Sequence, residues 1–227
     1  MRAPSAAGPA DLPAGADPRL HDLARWVGTW CFRPVFRVHV HHRERIPATG
    51  PVVLVANHSA LVDGPLLFGL LGRRSVFLVK QEMFTGVLGR GLRGIGQLAV
   101  RRGEPDRAPL TAALGVLRGG GLVGVFPEGT RGTGEVAAAQ QGAAWLARAS
   151  GAQVLPVVCR GTRRPEGTGR ARRFRPRVDV LVGVPLPAPT GKGRAELAAA
   201  TETVRGALAA LVADLDAMRA TSMRRSA

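Results

Sequence analysis

The sequence predicts an α/β domain on a mostly parallel sheet, from three observations. Short apolar runs rich in β-branched residues recur between Pro51 and Val184. Segments with the apolar period of helices separate them. Of 227 residues 45 % are apolar, and a chain of this size buries about 70 % of the surface its unfolded form exposes. We therefore expect a single domain over residues 19–220, with six to seven strands flanked by helices.

Residues 1–18, rich in Pro, Gly and Ala, read as a mobile cytoplasmic tail. They lack the apolar run of about 7–15 residues that a signal peptide needs. Residues 19–45 read as a helical segment, with Leu20, Leu23, Trp26, Val27 and Trp30 at helical spacings and a helix end near Pro34. Such an amphipathic helix either packs on its own domain or rests in a membrane interface, Trp and Phe anchoring and Arg toward the headgroups. The α/β core, residues 51–190, opens with VVLVA at 52–56. Further strands are expected at 76–79, 97–100, 122–126, 154–158 and 178–184. Helices are expected at 61–71, 86–93, 106–118 and 136–149. Leu197, Val204, Leu208, Leu211, Leu215 and Met218 form the core stripe of a last helix, 194–220. Between the last two strands, residues 160–177 hold eight Arg against Glu166 alone. That stretch is a solvated loop or, beside an active site, a binder of phosphates or headgroups. Nowhere do 18 apolar residues run without a charge, so no membrane-spanning helix is expected.

With 32 basic and 16 acidic residues the net charge is +16, which favours an anionic partner: nucleic acid, a phosphorylated small molecule or an anionic membrane surface. No Tyr, 7 Phe and 3 Trp give few stacking platforms for single-stranded nucleic acid. The basic residues match no nucleic-acid motif, so nucleic acid is not expected as a partner. A basic binding protein without activity is the alternative from another class. Cys31 and Cys159 are too few for a disulfide framework, and no Cys or His pair has zinc spacing. No metal is expected.

Three constellations carry chemistry. After the first strand comes NHSALVD, in which His58 and Asp63 are too far around a continuous helix to meet. With His58 on the strand-end loop and Asp63 in the opening turn of the next helix, the carboxylate can fold back to the imidazole. Strand ends are where α/β sheets place ligand sites. A carboxylate on one ring nitrogen leaves the other as a base, with an ordinary pKa of about 6.5. The second constellation is FPEGTR, Phe126 to Arg131, where Gly129 lets backbone N–H groups approach an anion and Arg131 can grip phosphate bidentately. The third is Gly96 to Arg102, a strand ending in adjacent basic residues. Taken singly, each also fits a capping turn or a basic surface.

Together these blocks resemble the glycerolipid acyltransferase family, whose best-known members are the 1-acylglycerol-3-phosphate (lysophosphatidic acid) acyltransferases. The resemblance covers roughly residues 51–162: His, four residues, Asp; Gly96 and Arg102 in a Gly, five residues, Arg pattern; FPEGTR unchanged; and an apolar strand around Pro156. It implies that His58, oriented by Asp63, deprotonates a glycerol hydroxyl that attacks an acyl thioester. It assigns Arg102, Glu128, Gly129, Thr130 and Arg131 to the acceptor phosphate and the Pro156 strand to the acyl donor side. Lys80 is a candidate phosphate or CoA contact, and Gly96 belongs to the second block. No cofactor is implied: acyl-CoA or acyl carrier protein is the donor substrate, a lysophospholipid the acceptor. The expected location is the cytoplasmic face of the cell membrane, held peripherally on anionic lipid. Nearest rivals are acyl transfer to glycerol 3-phosphate or another lysophospholipid, and thioester hydrolysis. The chain departs from the family pattern at Ala60 (usually Ser), Ala99 (usually Phe), Arg101 (often acidic) and Gln141 (often Lys). These bear on headgroup and acyl-chain preference.

Overall fold

The computed structural model describes residues 11–101, 107–127, 133–163 and 175–224. Among these, β1 (Arg37–His41), β2 (Val52–Ala56), β3 (Ser75–Lys80), β4 (Leu98–Val100), β5 (Leu122–Val125), β6 (Gln153–Arg160) and β7 (Arg177–Val182) form one sheet in the order β1-β7-β6-β2-β5-β3-β4. Every neighbouring pair is parallel except β6 with β7. Strands β2 to β6 therefore end on one edge of the sheet, and β1 and β7, running the other way, begin there.

The helices are α1 (Pro18–Cys31), α2 (Asp63–Leu70), α3 (Gly86–Gly94), α4 (Arg107–Arg118), α5 (Thr133–Ser150) and α6 (Arg194–Arg224). Successive side chains of a strand point to opposite faces, and both faces of this sheet are covered. Val53, Val55, Val123 and Val154 pack against α4, α5 and α6. Val52, Leu54, Leu122 and Leu155 pack with Leu66, Leu67 and Phe68 of α2. This double cover explains why VVLVA is buried at every position. In α6 Val204, Leu208, Leu211 and Leu215 are buried as their spacing predicts, while Met218 is exposed.

Two expectations need correction. Residues 37–41, expected within a helical segment, form strand β1, paired in parallel with β7. The sequence RVHVH alternates, and Val38 and Val40 are the residues that pack on the core. Residues 11–17, expected in a mobile tail, are docked: Leu12 joins the core, Asp11 pairs with Arg74, and Asp17 caps α1 through Arg19 and Leu20 N–H.

Helix α1 lies on α2 with its apolar stripe outward. Leu23 is 56 % and Trp26 62 % exposed, with Leu20, Val27 and Trp30 beside them. Packing of that stripe on its own domain is thus not what the fold does. The inward residues are His21, Ala24 and Gly28. A Cβ on Gly69 of α2 would stand 2.5 Å from the Gly28 carbonyl carbon, so the two helices meet backbone to backbone. Thr29 Oγ1 donates to the Gly69 oxygen across this contact. Gly69→Ala is expected to push the helices apart and cost about 1–3 kcal/mol, read by thermal unfolding; an unchanged melting temperature would refute the close packing.

His21 ties α1 to the sheet. Nδ1 is 2.7 Å from the Ile95 oxygen, and Nε2 accepts from Ser75 N–H at 3.4 Å. Burial, the largest influence, holds its pKa below the ordinary imidazole value, against the raising effect of the Ile95 hydrogen bond. The unfolded chain then binds more protons, so this contribution to stability is complete above about pH 6.5 and falls as pH drops toward the folded pKa. In urea unfolding at pH 7.5 and 5.5, wild type is expected to lose more stability than His21→Gln. Equal losses would remove His21 from the pH dependence.

Candidate active site

The end of β2 is held by Asn57, which is fully buried. Its Oδ1 accepts from Cys159 N–H at 2.7 Å, and its Nδ2 donates to the Cys159 oxygen and to Ser59 Oγ, both at 3.0 Å. The side-chain amide thus continues the β2–β6 ladder one residue past the strand, and it fixes where the next residue, His58, leaves the sheet. The sequence places Asn57 at the head of the NHSALVD block, but sequence reasoning gave it no role of its own. The available signal was an amide placed where a buried strand stops and its neighbour continues.

Asp63 opens α2 and is fully buried. Its Oδ2 accepts from Ser59 and Ala60 N–H at 2.7 Å each, which closes the turn between strand and helix. The same oxygen is 3.7 Å from His58 Nδ1. Oδ1 is buried and has no hydrogen-bond partner among the described residues. The fold-back expected from the sequence is therefore present, with the carboxylate gripping the backbone of the turn and standing beside the imidazole.

The other side of the ring is apolar. His58 packs on Phe126 at 4.7 Å between ring centroids, and Phe126 stacks on Phe77 at 5.6 Å. Gly124 makes room for this stack, since a Cβ there would stand 2.3 Å from a Phe77 ring carbon. A quarter of the His58 side chain stays exposed. The arrangement is a partly exposed imidazole at a strand end with one nitrogen beside a buried carboxylate. Cys159, next to Asn57, is no rival nucleophile: burial first, then the charge of Asp63, pushes its thiol pKa well up.

Lys80 ends β3 and is exposed on the same edge, two strands from β2. Gly96 lies at the opposite end of its strand, before β4, so the fold does not bring it to His58. Its φ is +76°, and a Cβ would meet Ala16 and Pro13; it serves a turn against the docked N-terminal segment. Pro156 is buried within β6 opposite Val55. Its missing N–H falls where pairing with β7 gives way to the Val154–Leu186 bridge, one residue out of register. Phe126 and Pro127 leave β5 beside β2. Arg102, Glu128, Gly129, Thr130 and Arg131, with residues 164–174 of the basic loop, lie outside the described residues.

Sheet, strand-end histidine and motif order together define an O-acyltransferase. Residues 37–160, more than half of the chain, match the Acyltransferase family, and the chain belongs to it. It is 28 % identical over 151 residues to a 1-acyl-sn-glycerol-3-phosphate acyltransferase of Bacillus subtilis (strain 168), a match covering 66 % of this chain and 73 % of that protein. A Chlamydomonas reinhardtii protein of the same name is 32 % identical over 162 residues, 68 % of this chain and 48 % of that protein. The chloroplastic LPAT1 of Arabidopsis thaliana is 27 % identical over 154 residues, 66 % of this chain and 43 % of that protein. The chain thus spans less than half the length of the plant and algal relatives. Among solved structures it is similar to the 1-acyl-sn-glycerophosphate (LPA) acyltransferase PlsC of Thermotoga maritima. That match has a TM-score of 0.65 at 27 % identity and covers 87 % of this chain and 80 % of that one.

Proposed function

We propose that the protein transfers a fatty acyl group from acyl-CoA, or from acyl carrier protein, to the free glycerol hydroxyl of 1-acylglycerol 3-phosphate, giving phosphatidic acid. The observation that carries this reading is His58 beside the buried Asp63 at the sheet edge. In the reaction Nε2 of His58 takes the hydroxyl proton as the oxygen bonds to the thioester carbonyl. The C–S bond then breaks, and the thiolate leaves with the proton returned from the imidazolium. Asp63 faces the Nδ1 side, where a negative charge favours the imidazolium, and Oδ1 is available to accept Nδ1–H when the pair closes on substrate. The thioester is a good leaving group, so this chemistry needs no metal or cofactor.

Arg102, Glu128, Gly129, Thr130 and Arg131 bind the acceptor phosphate in this reading. Support comes from the matched family and from the position of Pro127, the last described residue before that block, two residues past the end of the strand beside β2. Lys80 is on the same edge and suits a second phosphate contact. The test is thiol release from a long-chain acyl-CoA with and without lysophosphatidic acid, with the lipid product identified by mass. Acceptor-dependent release giving phosphatidic acid is the expected result. Release that ignores the acceptor means hydrolysis, and release that answers to glycerol 3-phosphate moves the acceptor.

The protein works at the surface of an anionic membrane, on the cytoplasmic face. Support comes from the outward apolar stripe of α1, the Arg33 guanidinium 4.2 Å over Trp30, the net charge of +16, and exposed Leu61, Val87 and Leu88 on the elements that leave the active edge. No helix among the described residues is long and apolar enough to cross a membrane. Burying one large apolar side chain contributes about 1.5–3 kcal/mol. Trp26→Ser with Trp30→Ser is thus expected to weaken sedimentation with phosphatidylglycerol vesicles by at least about tenfold. Undiminished sedimentation would move the contact elsewhere.

A further inference from the structure

A groove of about 500 Å³ lies between the end of α1, strand β1 and the last turn of α2. Its size falls within the usual range of small-molecule sites, about 300–1,000 Å³. The floor is apolar: Phe36 is buried, and Phe32, Val38 and Leu70 are half-buried. Around it stand the exposed Arg33, Arg37, Arg43 and Arg175, and no acidic residue among the described residues lines it. Backbone hydrogen bonds draw three of these together. Arg37 Nε donates to the Arg175 oxygen at 3.2 Å, and Arg175 Nη2 donates to the Arg33 oxygen at 2.7 Å. None of the four pairs with a carboxylate among the described residues. Clustered cations beside an apolar trough repel one another until an anion sits between them, and the trough gives that anion an apolar tail to bury.

The groove is not the reacting centre. No residue of the His58 turn lines it. Strand β1 stands three places from β2 in the sheet, roughly 14 Å at the usual strand spacing. One wall is Thr29 at the end of α1 and the turn that follows it, next to Trp30 and Trp26 on the outer face of the helix, so it opens beside the surface assigned above to the bilayer. We propose that this groove takes one anionic phospholipid from the membrane, an acyl chain on the Phe32–Phe36–Val38–Leu70 floor and the phosphate among Arg33, Arg37 and Arg175. Access from the bilayer rests on the membrane reading of α1; the chemistry of the groove does not. A bound lipid there fixes α1 against β1 and orients the active edge toward the membrane.

The test uses the full chain and monomeric dihexanoyl-phosphatidylglycerol below its micelle concentration, with dihexanoyl-phosphatidylcholine as the neutral control, followed by calorimetry and native mass spectrometry. One phosphatidylglycerol per chain is expected, with phosphatidylcholine about tenfold weaker. Arg33→Gln with Arg37→Gln should weaken binding about tenfold, and Val38→Trp, which fills the floor, should abolish it. Val38→Trp should still sediment with phosphatidylglycerol vesicles through α1, which reports that it folds. Equal binding of both lipids, or unchanged binding in both variants, overturns the proposal. Displacement of the lipid by acyl-CoA at lower concentration also overturns it, by giving the groove to the donor. Monomer binding without vesicle binding in the wild type supports the groove and refutes the membrane role of α1.

Discussion

His58→Ala is expected to lower kcat by about 10²–10⁴-fold, the usual worth of a positioned general base, and to leave KM for the thioester nearly unchanged. The imidazole is held on three sides: by the Asn57 amide through the backbone, by Asp63 at 3.7 Å from Nδ1, and by the Phe126 ring at 4.7 Å. Three-quarters of the side chain is buried, so a melting curve is measured beside the kinetics to separate lost chemistry from lost structure. Asp63→Asn should also lower kcat, because an amide does not stabilise the imidazolium and keeps one oxygen for the Ser59 and Ala60 N–H groups. A His58→Ala enzyme within a few-fold of wild-type thiol release would end the general-base reading.

Asp179→Ala is expected to cost about 3–5 kcal/mol of stability, the usual result of removing one partner from a buried ion pair. Asp179 is fully buried on β7. It accepts from Arg177 Nε and Nη2 at 3.0 and 2.9 Å, from Arg219 of α6, and lies 3.0 Å from His41 Nε2 of β1. One carboxylate therefore joins the edge strand β1, its neighbour β7 and the last helix, and without it two guanidinium groups face each other. Burial alone would raise its pKa, but the hydrogen bonds from Arg177 and His41 and the charges of Arg177 and Arg219 outweigh burial and hold it below the usual carboxylate value. Its folded pKa being depressed, this contribution is present above about pH 4 and is lost as pH falls through the folded value. Urea unfolding at pH 7 and pH 3 measures both effects. A loss under about 1 kcal/mol would mean water replaces the carboxylate, as at exposed pairs.

What was legible in the chain followed the range of the interaction that decides it. Strand β2 could be read residue by residue, because a strand covered on both faces is apolar throughout. The His58–Asp63 turn was legible because its geometry closes within six residues. Strand β1 was not: Val38 and Val40 become strand residues only by pairing with Val178 and Val180, far along the chain. The stripe on α1 could be seen, but periodicity says only that a helix has two faces. Which one turns inward depends on the glycine contact with α2. Gly96 sat in the right spacing for the binding block, yet its φ of +76° and its contact with Pro13 belong to long-range packing.

The reversed direction of β7 has a consequence for how this chain can change over time. Because β6 and β7 run antiparallel, the connection between them starts and finishes on the active edge, with Gly161 packed against the Arg177 carbonyl. Its two anchors are already in contact, so residues can be added or removed between them at little cost in loop closure. The β1–β2 connection lies on the far edge, and each of the others must carry the chain from the active edge back to it. The β6–β7 connection is therefore the place where the length of the chain can vary while the sheet and the histidine turn stay intact.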